Sequence, residues 1–226
     1  MRRVFDDREE AGRALAARLV AWRARPDALV LGLPRGGVPV AFEVADALGL
    51  PLDVLVVRKL GLPWQPELAM GAIASGGALV VNDEVLRYLP RDGNAFETVR
   101  AHEQRELERR EREYRGKRPP LDPRGRTVIL VDDGLATGAT MEAAVRSLQL
   151  LGAQRVVVAV PVAAVEARDR IAAVADEVVC LETPEFFSAV GQWYRDFGQT
   201  SDAEVTELLE RAGRRTAATP DTGDDR

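Results

Sequence analysis

Continuous apolar runs alternate with amphipathic stretches through most of the chain. Residues 28–33 (ALVLGL) form such a run, ending at Pro34 with Gly36 and Gly37 just beyond. This predicts a buried strand feeding a glycine-rich turn. Residues 38–48 follow as a helix closed by Gly49. Further strands are predicted at residues 53–57 (DVLVV), 127–131 (TVILV), 155–160 and 177–181. Helices are predicted at 140–151, ended by Gly152, and at 163–174. Ahead of the first strand, Ala11, Leu15, Leu19 and Trp22 recur at helical spacing behind Asp6 or Asp7 as N-cap. Strands that alternate with helices imply an α/β fold with a parallel sheet and right-handed crossovers.

About seventy residues separate the second and third of these strands. Within them, GAIASGGALVVN (71–82) predicts two strands joined at Gly76 and Gly77. Residues 94–117, containing EQRELERRERE, predict a solvated helix stopped by Pro119 and Pro120; no heptad seam supports a coiled coil. A connection this long in a compact domain usually carries function, so residues 61–120 are expected to form an insertion that acts as a lid. The expected layout is a single domain over residues 1–211. A small C-terminal hood would cover 182–211, and a disordered tail 212–226, rich in Thr, Asp and Arg.

Composition narrows the function. There are 36 acidic and 31 basic residues, a formal charge of −5, which argues against a nucleic-acid binder. Apolar residues make up 46% of the chain, enough for a packed core, and no run reaches the roughly 18 residues of a membrane span. The charged N-terminus has no apolar segment of a secretion signal, so a cytoplasmic protein is expected. Cys180 is the single cysteine, which leaves no internal disulfide and no zinc cluster. His102 is the single histidine and sits in the charged helix, where it is expected to be exposed and inert.

The sharpest chemical signal is VILVDDGLATGAT, residues 128–140. A buried strand ends in two carboxylates, Asp132 and Asp133. Gly134, Thr137, Gly138 and Thr140 follow, and then a helix begins. Free N–H groups at a helix start attract anions, and glycine lets the backbone approach them closely. The carboxylates would repel phosphate, so they need sugar hydroxyls or Mg²⁺ as partners. A ligand with both a phosphate and a diol suits the whole segment. It is neither a Walker A loop nor a Rossmann fingerprint, because the glycine spacings of both are absent.

This segment resembles the phosphoribosyl-pyrophosphate (PRPP) motif of the type I phosphoribosyltransferases. The resemblance implies an open five-stranded sheet of order 2-1-3-4-5, with an inserted lid and a C-terminal hood. It assigns the ribose hydroxyls to Asp132 and Asp133, and the 5′-phosphate to Leu135, Ala136, Thr137, Gly138, Ala139 and Thr140. LGLPRGGVPVA (31–41) resembles the family's pyrophosphate loop, so Arg35, Gly36 and Gly37 would face pyrophosphate, with a non-proline cis peptide expected near Pro34–Gly36. VVRKLGLP (56–63), whose Gly61 and Pro63 suggest a loop after the second strand, resembles adenine-type members, adding Arg58 and Lys59 to the pyrophosphate end. Glu67 in PELAMGAI resembles their lid acid. PEFFSAVGQWYRDFGQ (184–199) holds five of the chain's twelve aromatics, so Phe186, Phe187, Trp193 and Tyr194 are hood candidates for base stacking, with a small satellite core under the hood as the alternative for most of them. Arg195 is a further pyrophosphate candidate, from a loose likeness of YRDF to purine-type members.

The reaction so implied is attack by a nitrogen nucleophile on C1 of PRPP, with Mg-pyrophosphate leaving. Mg²⁺ is expected mainly on PRPP oxygens, with Asp132 and Asp133 as further ligands. Ala136 and Ala139 stand where 6-oxopurine enzymes carry an acid and a base, and LATG is closer to adenine- and uracil-type loops. The expected partners are PRPP and a small nitrogen acceptor, and dimers are common in the family. The alternative is a non-catalytic sensor of PRPP or nucleotide on the same fold.

Overall fold

Apolar runs without alternation suit strands covered on both faces, and the computed structural model places them so. It describes residues 4–88 and 94–218. β1 (Ala28–Gly32), β2 (Leu52–Val54), β6 (Thr127–Val131), β7 (Arg155–Val162) and β8 (Glu177–Glu182) form a five-stranded sheet. Its order is β2-β1-β6-β7-β8, and every pairing is parallel. With the insertion set aside, this is the expected 2-1-3-4-5. Alternate residues of each strand feed two cores. Val30, Ile129, Val131 and Val157 pack under α1 (Arg8–Ala16) and α2 (Gly37–Leu48). Leu31, Val128, Leu130 and Val158 pack under α5 (Ala139–Leu150) and α6 (Val165–Ala172).

The insertion contributes a second sheet, antiparallel, of β3 (Val57–Leu62), β4 (Gln65–Ala74) and β5 (Ala78–Val81). A one-turn helix, α3 (Asp83–Leu86), and the long α4 (Ala95–Arg115) follow. The predicted hairpin at 71–82 is present, with Ala74 opposite Ala78. The predicted second strand is shorter than expected, and residues 57–62 form a strand of the insertion instead of a loop. The chain leaves the parallel edge because the Val56 N–H donates to Ser75 Oγ at 3.0 Å, while Ser75 N–H returns to the Val56 carbonyl at 2.9 Å. The insertion is a packed part of the domain: Leu60, Met70 and Leu107 are buried in the α1/α2 core, and Ala74 and Ala78 in the other. Asp53 on β2 accepts two hydrogen bonds from Arg115 at the end of α4, at 3.0 and 2.9 Å.

The ends also differ from expectation. Asp7 caps α1 by accepting the Glu10 N–H at 2.7 Å, but the helix stops at Ala16. Leu19 is buried beside a 3₁₀ turn, Val20–Trp22, which carries the buried Trp22. Residues 212–218, expected in the tail, belong to α7 (Asp202–Ala218). Val205, Leu209 and Ala212 recur on one face of α7 and are buried against the domain, which orders the helix past residue 211.

Candidate active site

β1 and β6 are adjacent, with Gly32 opposite Val131, so the loops that follow them leave the sheet side by side. This is the reversal point of the strand order, where open α/β sheets bind ligands. Asp132 and Asp133 emerge here. Asp132 Oδ1 accepts the Asp133 N–H at 2.8 Å. Asp133 Oδ2 is held by Arg8, through Nε at 2.9 Å and Nη2 at 2.9 Å. That leaves Asp132 Oδ2 and Asp133 Oδ1 without hydrogen-bond partners among the described residues. Two carboxylate oxygens, one from each residue, are therefore open to two hydroxyl donors. Burial, and then the Asp133 charge, push the Asp132 carboxyl well above its ordinary range. Asp133 is also raised by burial, with Arg8 pulling it back down.

The loop 134–138 is fastened on one side and open on the other. Leu135 donates its N–H to the Val162 carbonyl at 2.9 Å and is buried. Its amide is therefore unavailable to a phosphate, and Leu135 acts as the loop's anchor; this corrects its expected role. The amides of Ala136, Thr137 and Gly138 have no acceptor among the described residues. Gly138 caps α5 in the left-handed region, at φ 74°, which turns those amides together at the helix start. Thr137 Oγ1 makes one long contact, 3.4 Å, to the Ala139 N–H, and Thr140 is exposed on the first turn.

The loop after β1 contains a cis peptide between Pro34 and Arg35, where one was expected. It presses on the acidic pair. A Cβ on Gly36 would stand 2.1 Å from Asp133 Oδ2, and one on Gly37 would stand 2.8 Å from the Asp132 Cα. Only glycine fits at either position. The Gly37 N–H donates to the Leu33 carbonyl at 3.1 Å, so of the two glycines Gly36 alone can offer its amide to a ligand. Arg35 lies 3.9 Å from Asp202, whose carboxylate also accepts the Tyr114 hydroxyl at 2.5 Å. Arg8, Arg35, Gly36 and Asp133 line an open cavity of about 330 Å³ together with Phe197, Gln199 and Thr200.

Arg58 and Lys59 do not act as a pair. They are neighbours on a strand and so project to opposite faces. Arg58 turns to α4 and bonds Glu103 at 2.7 Å, which takes it out of the expected pyrophosphate set. Lys59 lines a cleft of about 510 Å³ between the insertion and the start of α5, with Ala139 and Glu142 on the other wall. Glu67 falls on β4, outside the residues whose side chains are described. His102 is exposed as expected, 3.1 Å from Glu103.

The hood divides. Trp193 and Tyr194 are buried in a satellite core with Phe5, Ala11 and Val162, not presented for base stacking. The cause is the N-terminal segment, since Phe5 pairs with residues 193–195 through two backbone bonds of 2.8 Å. Tyr194 instead donates its hydroxyl to the Asp133 carbonyl at 2.6 Å, and burial raises its pKa. Arg195 points outward to Asp6, so it is not directed at the cleft. Phe187 is partly buried against two cores, and Phe186 is 75% exposed. Arg8 is the site residue that the sequence did not announce.

The chain matches the phosphoribosyl transferase domain over residues 6–197. A Mycobacterium tuberculosis H37Rv protein, provisionally named a phosphoribosyl transferase, is 53% identical over 212 residues; these are 94% of this chain and 48% of the relative. A protein of strain CDC 1551 matches to the same extent, so the chain spans about half the length of these curated relatives. The crystal structure of TT1426 from Thermus thermophilus is 48% identical with a TM-score of 0.83, covering 93% of this chain and 99% of that one. The family model matches most of the chain, residues 6–197, and the chain belongs to the phosphoribosyl transferase domain family.

Proposed function

We propose that the protein is a Mg-dependent phosphoribosyltransferase. It moves ribose 5-phosphate from PRPP to a nitrogen acceptor and releases pyrophosphate. The observation that carries this reading is the pair of open oxygens, Asp132 Oδ2 and Asp133 Oδ1, beside the unpaired amides of residues 136–138. Few ligands other than a phosphorylated sugar need both a diol acceptor and an anion cradle in contact.

In this reading Asp132 and Asp133 accept the ribose hydroxyls. The amides of Ala136, Thr137 and Gly138, with the hydroxyls of Thr137 and Thr140, take the 5′-phosphate. Arg35, the Gly36 amide and Lys59 take the pyrophosphate. Charge builds on the leaving pyrophosphate and on an oxocarbenium-like sugar, so the protein's contribution is electrostatic and positional. No group of three or more metal-ligating side chains occurs among the described residues. Two open carboxylate oxygens therefore suit an ion carried mostly by substrate oxygens and water, with Asp132 or Asp133 as a further ligand. Mg²⁺ when bound would neutralise charge on the leaving group. Ala136 and Ala139, in place of charged residues, favour an adenine- or uracil-like acceptor over a 6-oxopurine.

No helix among the described residues is long and apolar enough to cross a membrane. The sensing alternative draws on one observation: Arg58, expected at the pyrophosphate end, is committed to Glu103. Incubation with PRPP, Mg²⁺ and a panel of bases, with pyrophosphate as readout, separates the two. Base-dependent pyrophosphate release supports the enzyme. PRPP binding without release with any base supports the sensor.

A further inference from the structure

We propose that Arg8 is a positioning residue for sugar binding, one that fixes which oxygen of Asp133 meets the ligand. The inference rests on the reading of the acidic pair as the ribose acceptor. Arg8 Nε and Nη2 both bond Asp133 Oδ2, at 2.9 Å each, and Nη1 donates to the Gly198 carbonyl at 2.7 Å. Its guanidinium also lies 4.0 Å from the centre of the Phe197 ring. Three directions of the planar fork are thereby taken up, and both side chains are mostly buried, at 12% and 14% exposure.

The placement breaks a local rule. Arg8 is the first residue of α1, where a cation is opposed by the positive end of the helix dipole. A residue that violates local preference usually answers to something distant. Here that is Asp133, 125 positions away. The start of α1 is in turn fixed to the hood, since Asp196 N–H donates to the Asp6 carbonyl at 2.9 Å. Arg8 thus ties the N-terminal segment and the hood to one oxygen of the pair. On its other side, the same oxygen is crowded by Gly36. With Oδ2 enclosed, the carboxylate has one orientation left, with Oδ1 outward.

The test compares ribose 5-phosphate with inorganic phosphate by calorimetric titration, in the wild type, Arg8→Met, Arg8→Lys, Asp133→Asn and the Arg8→Met/Asp133→Asn double variant. The expected loss for Arg8→Met is about tenfold in ribose 5-phosphate affinity, the scale of one charge-assisted hydrogen bond, with phosphate affinity moved less than about twofold. Arg8→Lys recovers part of the loss. In the Asp133→Asn background, Arg8→Met has no further effect, because Arg8 acts through Asp133. Equal losses for both ligands, or the same loss without the Asp133 carboxylate, overturn the proposal, as does tighter sugar binding by Arg8→Met. A wild type that does not prefer ribose 5-phosphate overturns the sugar-binding reading and this inference with it. A wild-type preference untouched by Arg8→Met overturns this inference alone.

Discussion

Gly36 stands so close to Asp133 that a Cβ at position 36 would lie 2.1 Å from Oδ2. The loops after β1 and β6 therefore form one packed unit, with the acidic pair pressed between backbone on one side and Arg8 on the other. Gly36→Ala must displace the Asp133 carboxylate and break its Arg8 contacts. The expected result is at least about a tenfold loss of ribose 5-phosphate affinity, the scale of one charge-assisted hydrogen bond. Gly49→Ala is the control. Its Cβ meets open space, but the residue sits at φ 65°. It should cost about 1 kcal/mol of stability and leave binding unchanged. Calorimetry and thermal melts on both variants check the contrast; normal sugar affinity in Gly36→Ala would sink the packing argument.

Arg58 and Lys59 are expected to fail in different ways when removed. Arg58→Ala leaves Glu103, only 15% exposed, without its cation and should cost about 1–2 kcal/mol. Its effect on turnover should be small. Lys59→Ala should lower pyrophosphate release far more than Arg58→Ala does, because Lys59 faces the cleft at the start of α5. The reverse pattern in melts and pyrophosphate assays would return Arg58 to the site.

The contrast between these neighbours shows what the chain alone could reveal. The parallel sheet was legible because TVILV and its like are buried on both faces, so composition and length suffice to mark them. VVRKLGLP was harder: its glycine and proline suggested a loop, and in a loop Arg58 and Lys59 can share a ligand. Once residues 57–62 are a strand, alternation separates them. The acidic pair and the amides of 136–138 were legible because their chemistry is local, confined to one strand-to-helix turn. Arg8 was not, since nothing near position 8 refers to Asp133. Trp193 and Tyr194 stay open between stacking and a satellite core in the sequence for the same reason. Their concentration was visible, but whether they face cleft or core depends on Phe5, nearly the whole chain away.

Asp132 should trade stability for function. Burial raises its carboxyl pKa in the fold. For a raised group, the stabilisation is complete below the unfolded value of about 3.9 and is lost as pH rises through the folded value. Asp132→Asn has no proton to lose and can still accept the Asp133 N–H. Its melting temperature should therefore exceed the wild type's at pH 8, with the gap shrinking toward pH 4.5. Ribose 5-phosphate affinity should be lost at both. A gap that does not change with pH would show that Asp132 carries no such burden.

The insertion should depend on Arg115. Its side chain is 9% exposed and grips Asp53 with two hydrogen bonds, joining the end of α4 to the edge strand β2. Arg115→Ala leaves the mostly buried Asp53 carboxylate with Arg118 alone as cation, 3.9 Å away, and should cost about 2–3 kcal/mol. In a domain of this size that lowers the melting temperature by roughly 5–10 °C. Arg115→Lys restores the charge but not the two-pronged geometry, so it should recover part of the loss. A lysine variant as stable as the wild type would reduce the contact to simple charge pairing.

The hood residues predict where an acceptor base would rest. Tyr194 is enclosed by Phe5 and Phe197, at 5.7 and 5.1 Å between ring centres, and its hydroxyl serves the Asp133 carbonyl. Tyr194→Phe keeps the rings and removes that donor. It should cost about 1–2 kcal/mol and weaken sugar binding several-fold through the Asp133 backbone, with the acceptor KM unchanged. Phe186 lies in the loop after β8, beyond the C-terminal end of the sheet where the site opens, and its ring is exposed. A stacked base is worth about 1–3 kcal/mol, so Phe186→Ala should raise the acceptor KM by roughly five-fold or more while the melting temperature stays within about 1 °C. Acceptor kinetics that respond to Tyr194→Phe and ignore Phe186→Ala would place the base against the buried cluster, and the satellite core would have to open to receive it.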